Sequence, residues 1–195
     1  MNSVRKRIVA ILRKTLYALL IVSSGMGILA LASFALPESA TVKRSVVIDA
    51  PVEHVYRNVS DFHYWVYWSP WLARDPDIFI YPQGNVKRGL GARWCWKSND
   101  RWLENGCIEI TSATPTKEMV TCCVKQGRVV YQGRWHFEPT PAGTKVAWKI
   151  TLQLDEQPIT GRYMGLFAEQ YIGSRLQSGL DDLRERVQNK GMNFW

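Results

Sequence analysis

From Thr15 to Leu36 the chain reads TLYALLIVSSGMGILALASFAL, 22 residues without a charge, and Pro37 follows directly. At ~1.5 Å of helical rise per residue such a run covers roughly 33 Å, enough to cross a hydrocarbon core of ~30 Å. The small residues Ser23, Ser24, Gly25 and Gly27 in its middle are tolerated by membrane helices. This segment divides the chain into a basic N-terminus (1–14), a transmembrane signal anchor (15–36), a linker (37–41), one domain (42–190) and a tail (191–195). Arg5, Lys6, Arg7, Arg13 and Lys14 precede the run, and no acidic residue does. The positive-inside rule then keeps the N-terminus in the cytoplasm and exports the rest. The expected location is the inner (plasma) membrane, single-pass, with the C-terminal domain on the periplasmic side. The rival is a signal peptide cleaved at Ala30-Leu31-Ala32. The apolar run is longer than the ~7–15 residues usual in such peptides, so an uncleaved anchor is expected.

The net charge of +8 suggests nucleic acid until it is located. Setting the first 36 residues aside leaves 20 basic against 17 acidic residues. The body is nearly balanced, and nucleic-acid binding loses its support. With 46% hydrophobic residues in a chain of 195, the body has the composition of one ordinary globular domain.

Cys95, Cys107, Cys122 and Cys123 form no C-x-x-C pair and have no histidine at zinc-ligand spacing, so no metal site is expected. Hairpin turns at 97–104 and 113–116 would set Cys107 across from Cys95 on one side and near Cys122 or Cys123 on the other. Export would allow pairing. The favoured expectation is nonetheless four small buried hydrophobes.

The body opens with a β-branched strand, TVKRSVVIDA, that ends at Pro51. A helix follows, with Val52, Val55, Tyr56 and Val59 on one face, and then a short helical or irregular piece through HYWVYWSPWLARD. Beyond Asp77 the period becomes two. Ile78/Ile80, Trp94/Trp96, Ile108/Ile110, Trp135/Phe137 and Val146/Trp148/Ile150/Leu152 alternate with polar residues, as in an antiparallel sheet wetted on one face. Pro139–Gly143 is a tight turn. From about Arg162 to Asn189, Phe167, Tyr171, Ile172, Leu176, Leu180, Leu183 and Val187 recur at helical spacing. Gly173 and Gly179 within this helix suggest close packing on the sheet. The fold class is α+β.

This order, a strand, two short helices, about six antiparallel strands and a long C-terminal helix, is that of the helix-grip fold. The stretch VKRSVVIDAPVEHVYRNVSDFHYWVYWSPW (42–71) resembles the opening of polyketide cyclase/dehydrase-like members of the START/Bet v1 (SRPBCC) superfamily. The shared pattern is an apolar strand, I-x-A-P, V-x-x-x-V-x-D and an aromatic run ending in W-x-P-W. Asp75-Pro76-Asp77, the glycines before Trp96, Gly143-Thr144 and Leu180…Leu183 extend the likeness over about 42–190. The resemblance implies a curved sheet wrapped around the long helix, with a cavity for an apolar ligand. It brings no catalytic signature and no cofactor.

Nine tryptophans, with Tyr64, Tyr67 and other aromatics, offer three readings: core filling, cavity lining, or contact with the bilayer. The residues expected to contact a ligand are Trp68, Trp71, Trp94, Trp96, Trp135, Phe137, Trp148, Phe167 and Tyr171. His54, His63 and His136 lack a Cys or Ser partner at a catalytic spacing, and His136 falls on the wet face of its strand. Asp61, Asp75 and Asp77 gather near the proposed mouth, where capping and turn formation explain them better than acid–base chemistry. Gly89-Leu90-Gly91 lacks the third glycine of a dinucleotide loop, and no Walker A, H-E-x-x-H or G-x-S-x-G sequence occurs. The expected function is a membrane-anchored protein that binds a hydrophobic small molecule or lipid between the sheet and the last helix, without cofactor, metal or nucleic acid. The alternatives are a cyclase/dehydratase-type enzyme and a protein-interaction module whose cavity is filled.

Overall fold

The computed structural model describes residues 2–72, 75, 77–100, 103–155 and 159–190. Pro76, Trp102 and the tail 191–195 lie outside the described residues.

Helix α1 (Asn2–Ser33) takes in the basic N-terminus and the uncharged run as far as Ser33, and the last three residues of the run, 34–36, form a turn. The helix's segment Ala10–Ser33 has a mean hydropathy of 2.0, and Ser33 at its end is the one residue of the segment that the rest of the chain buries. By length and composition this helix is long and apolar enough to cross a membrane.

Strand β1 (Ser39–Ile48) is followed by helix α2 (Val52–Ser60), a short 3-10 helix (Phe62–Tyr67), and strands β2 (Phe79–Gln83), β3 (Arg93–Lys97), β4 (Gly106–Thr114), β5 (Glu118–Lys125), β6 (Arg128–Thr140) and β7 (Gly143–Gln153). Among the described residues these strands make one antiparallel sheet in the order β1-β7-β6-β5-β4-β3-β2. The first strand closes the sheet beside the last, and register shifts at Ile110/Ser112 and Cys123/Val124 mark where β4 and β5 bend. The alternation expected from the sequence is realised: Val146, Trp148 and Ile150 are buried on β7, as are Trp135 and Phe137 on β6.

The helical tail departs from the expected single helix. It is broken into α3 (Thr160–Gly165) and α4 (Ala168–Lys190). Gly165, a poor helix former, ends α3. Leu166 N and Phe167 N then bond three residues back, to the carbonyls of Tyr163 and Met164. Only the second part of the predicted apolar stripe is buried. Leu176, Leu180, Leu183 and Val187 pack against the sheet, each contributing about 1.5–3 kcal/mol, whereas Phe167 and Tyr171 stay exposed. Close packing at the helix glycines is real: a β-carbon on Gly179 would lie 2.6 Å from Pro70 Cδ and 3.5 Å from the Trp148 ring.

The cysteines also depart from expectation. Cys95 and Cys107 are direct partners in the β3–β4 register and form a disulfide. Cys122 and Cys123 are free thiols. Adjacent strands bring two half-cystines into bonding range wherever the register aligns them, which spacing alone left open.

Candidate functional site

The sheet's inner face has a sealed end and a hollow end. At the sealed end Trp135 and Trp148, cross-strand partners, stack with ring centres 4.2 Å apart. Trp65 and Trp68 meet both edge-on at 5.8–6.4 Å, and these two donate their indole N–H groups to the carbonyls of Val59 and Asn58. Those bonds also satisfy carbonyls at the C-terminal end of α2, which a helix leaves without partners. Tyr56 sits edge-on to Phe137.

The hollow end encloses about 1040 Å³. Trp94, Trp96, Ile108, Tyr131, Ile150 and Leu152 form the sheet wall. Phe62, Trp65 and Trp71 come from the 3-10 helix and its exit loop, and Met164, Phe167, Tyr171 and Arg175 from α3, the connection after it and the start of α4. The exposed members Val66, Val129, Met164, Phe167 and Tyr171 surround its opening.

Five of the nine aromatics expected at the ligand therefore border this cavity: Trp71, Trp94, Trp96, Phe167 and Tyr171. The other four, Trp68, Trp135, Phe137 and Trp148, are packed in the sealed core and do not line it. The physical reason is what lies opposite them. The 3-10 helix and the buried stripe of α4 press onto that part of β6 and β7 and leave no space. Ile108, Tyr131, Leu152, Met164 and Arg175 border the cavity and were not anticipated. The period-two pattern around Ile108 and Leu152 was the signal available for those two; nothing local marks Met164 or Arg175.

Polar groups in the wall are few. Tyr131 and Cys123 are hydrogen-bonded to each other. Burial pushes the Cys123 thiol up to about 12, so it stays protonated and is a poor nucleophile at neutral pH. Burial also raises the Tyr131 phenol well above its ordinary value, keeping it a donor. Arg175 lies over the face of Trp71, 5.6 Å from the ring centre. Lys125 reaches Glu104 at 3.7 Å.

No histidine or carboxylate is among the lining side chains of the described residues. His63 pairs with Asp61 at 2.8 Å and stands edge-on to Trp94, while exposed His136 pairs with Glu118 at 3.5 Å. Asp61 caps the 3-10 helix by accepting from His63 N. Asp75 accepts from the Ser98 hydroxyl at 2.6 Å and from the backbone N–H groups of Asp77 and Asn99. Both carboxylates thus serve turns, as expected of residues beside helix and loop starts. Among the described residues no group of three or more His, Cys, Asp or Glu could hold a metal ion.

Solved structures share this architecture at low identity. A protein of unknown function from Staphylococcus aureus superposes with a TM-score of 0.60 at 10% identity, covering 80% of this chain and 98% of its own. The di-domain ARO/CYC protein StfQ of the steffimycin biosynthetic pathway gives 0.58 at 11% identity, covering 78% of this chain and 52% of its own. The di-domain ARO/CYC protein BexL of the BE-7585A pathway gives 0.57 at 15%, covering 81% and 53%. This chain thus spans about half of each di-domain protein. These likenesses establish the helix-grip fold alone. No curated protein matches the chain. Residues 39–188, which take in the whole sheet and nearly all of α4, match the family described as polyketide cyclase / dehydrase and lipid transport, and the chain belongs to that family.

Proposed function

We propose that the protein is a membrane-anchored binder of a hydrophobic small molecule or lipid, held between the sheet and the C-terminal helix. The cavity carries this reading. Its volume of about 1040 Å³ is at the upper end of small-molecule pockets, and its wall is mostly apolar with a few polar groups to orient a ligand. Affinity would come from buried apolar area at ~25 cal/mol per Å². Trp71, Trp94, Trp96, Phe167 and Tyr171 are the proposed ligand contacts, and Trp68, Trp135, Phe137 and Trp148 hold the wall behind them rigid.

We assign α1 as an uncleaved anchor in the plasma membrane, with residues 1–14 in the cytoplasm and the domain exported. The five basic residues before the span support that orientation. The Cys95–Cys107 disulfide supports an oxidising side.

Helix α1 contributes no residue to the hydrophobic core, so residues 38–195 keep that core when it is removed. Native mass spectrometry of residues 38–195, purified without detergent and then extracted with organic solvent, tests the proposal. A co-purifying apolar molecule is expected. A protein that is empty and also fails to take up the apolar dye N-phenyl-1-naphthylamine would overturn it.

A cyclase/dehydratase-type activity is the second reading. It is favoured by the likeness to the two ARO/CYC proteins and by the buried Tyr131 phenol in the cavity wall, whose hydroxyl, now donating to Cys123, would turn to a substrate carbonyl. Turnover of a poly-ketone that is lost in Tyr131→Phe, with binding retained, would move this reading to first place.

A further inference from the structure

We propose that the cavity opens toward the bilayer and that its rim, Met164, Leu166 and Phe167 with Tyr163 and Tyr171, docks on the surface of the membrane that α1 spans. The inference rests on the reading of α1 as a retained span.

Two side chains of α3 fix the domain to α1. Tyr163 donates its hydroxyl to the Leu29 carbonyl at 2.9 Å. Arg162 donates to the Ser33 carbonyl at 3.2 Å and to the Glu38 carboxylate at 2.7 Å, and its guanidinium lies 5.7 Å from the centre of the Phe34 ring. Arg162 is only 7% exposed, so this is a built contact with its charge matched.

The level of that contact decides where α3 must be. Leu29 lies inside the apolar segment, which ends at Ser33. Four residues of helix correspond to about 6 Å, so the Tyr163 hydroxyl sits roughly one turn inside the end of the span. A group bonded there is in the zone where acyl chains meet headgroups. The residues that follow suit that zone: Met164, Leu166 and Phe167 are 59%, 58% and 55% exposed. In water this would be an uncovered apolar patch. At the interface it is buried in lipid, with Tyr163 at the depth where membrane proteins place aromatic belts.

Met164, Phe167 and Tyr171 also border the cavity opening. The surface that meets lipid is thus the rim of the binding space, and an apolar molecule passes between bilayer and cavity without crossing water. Cleavage at Ala30-Leu31-Ala32 would remove Leu29 and with it the Tyr163 contact, so the arrangement also requires α1 to be kept.

The test uses the full chain in nanodiscs of phosphatidylcholine and phosphatidylglycerol, with intact mass confirming that α1 is present. In a Cys122→Ser background a single fluorophore is placed by Met164→Cys or Leu166→Cys, or by Lys117→Cys on the turn at the opposite end of the sheet. Lipids carrying a nitroxide on the acyl chain then quench it. Quenching at 164 and 166 is expected to exceed that at 117 by about threefold or more. Equal quenching at all three positions, or a mature chain lacking α1, would overturn the proposal. Tyr163→Phe with Arg162→Gln should bring quenching at 164 down toward the level at 117; undiminished quenching overturns the role given to the two side chains. Tyr163→Phe alone keeps this arm readable where the double variant does not fold. Ligand retention by residues 38–195 separates this proposal from the one it rests on. A loaded domain without quenching keeps binding and removes docking, and quenching with an empty domain does the reverse.

Discussion

The sealed and hollow ends of the sheet are built from the same kinds of residue. Trp135 and Trp148 on the neighbouring strands β6 and β7, and Trp94 and Trp96 on β3, are all at least nine-tenths buried. The difference lies in what faces them. Against the first pair stand the 3-10 helix, with Trp65 and Trp68, and the leucine stripe of α4. Against Trp94 stands the edge of His63 from the 3-10 helix, and across the cavity from the second pair lie α3 and the first turn of α4, where Phe167 and Tyr171 are half-exposed at the rim instead of filling the space. An apolar face becomes core or cavity wall according to the element opposite it. Tryptophan content does not decide between them.

The largest test of this contrast is Trp135→Ala. It removes a stacked partner from the sealed end and should cost about 3–5 kcal/mol, read from the urea midpoint. A cost below that of an exposed substitution would mean that the end is not sealed. Gly133→Ala comes next. A β-carbon there would lie 2.5 Å from Thr121 Oγ1 and 3.3 Å from Trp148 Nε1, so the packed end should lose about 1–3 kcal/mol by overpacking. Leu152→Trp, at the hollow end, should change stability by less than about 1.5 kcal/mol because there is room for the ring. The same change should weaken uptake of N-phenyl-1-naphthylamine by about tenfold or more, since it fills the space. Unchanged uptake would place the ligand elsewhere.

The smallest effect is expected at Asp75, which fastens the β3–β4 loop beside the hollow end through Ser98. The Ser98 hydroxyl, and after it the backbone N–H groups, hold its carboxyl below the usual carboxylate range. A depressed folded value means that the stabilisation is fully present above the pKa of the unfolded carboxylate and is lost as pH falls through the lower folded one. Asp75→Asn should therefore flatten the acid limb of the urea midpoint against pH, with little change in its shape above neutrality. An unaltered acid limb would show that the loop is held by other contacts, such as Leu103 N to Asp100 and Trp96 Nε1 to the Glu104 carbonyl.

Much of the architecture was legible because its causes are local. The uncharged run before Pro37, the period-two stretches from Trp94 to Leu152 and the stripe from Leu176 to Val187 each report the solvent their own residues meet. The break between α3 and α4 was less visible. The apolar spacing continues through Phe167 and Tyr171, and only the tertiary position shows that these two do not join the core. The disulfide was a matter of register, which depends on both hairpin turns at once.

The sequence by itself determined the long apolar N-terminal helix, the strand-rich α+β body and the wet and dry faces of its strands, since charge and periodicity act residue by residue. Tertiary structure alone decided which tryptophans are sealed, where the hollow lies and how Arg162 and Tyr163 meet Ser33 and Leu29. Those contacts join residues more than 100 positions apart. Packing between distant segments leaves no periodic mark on either, because each side chain's role depends on a partner its neighbours in sequence do not specify.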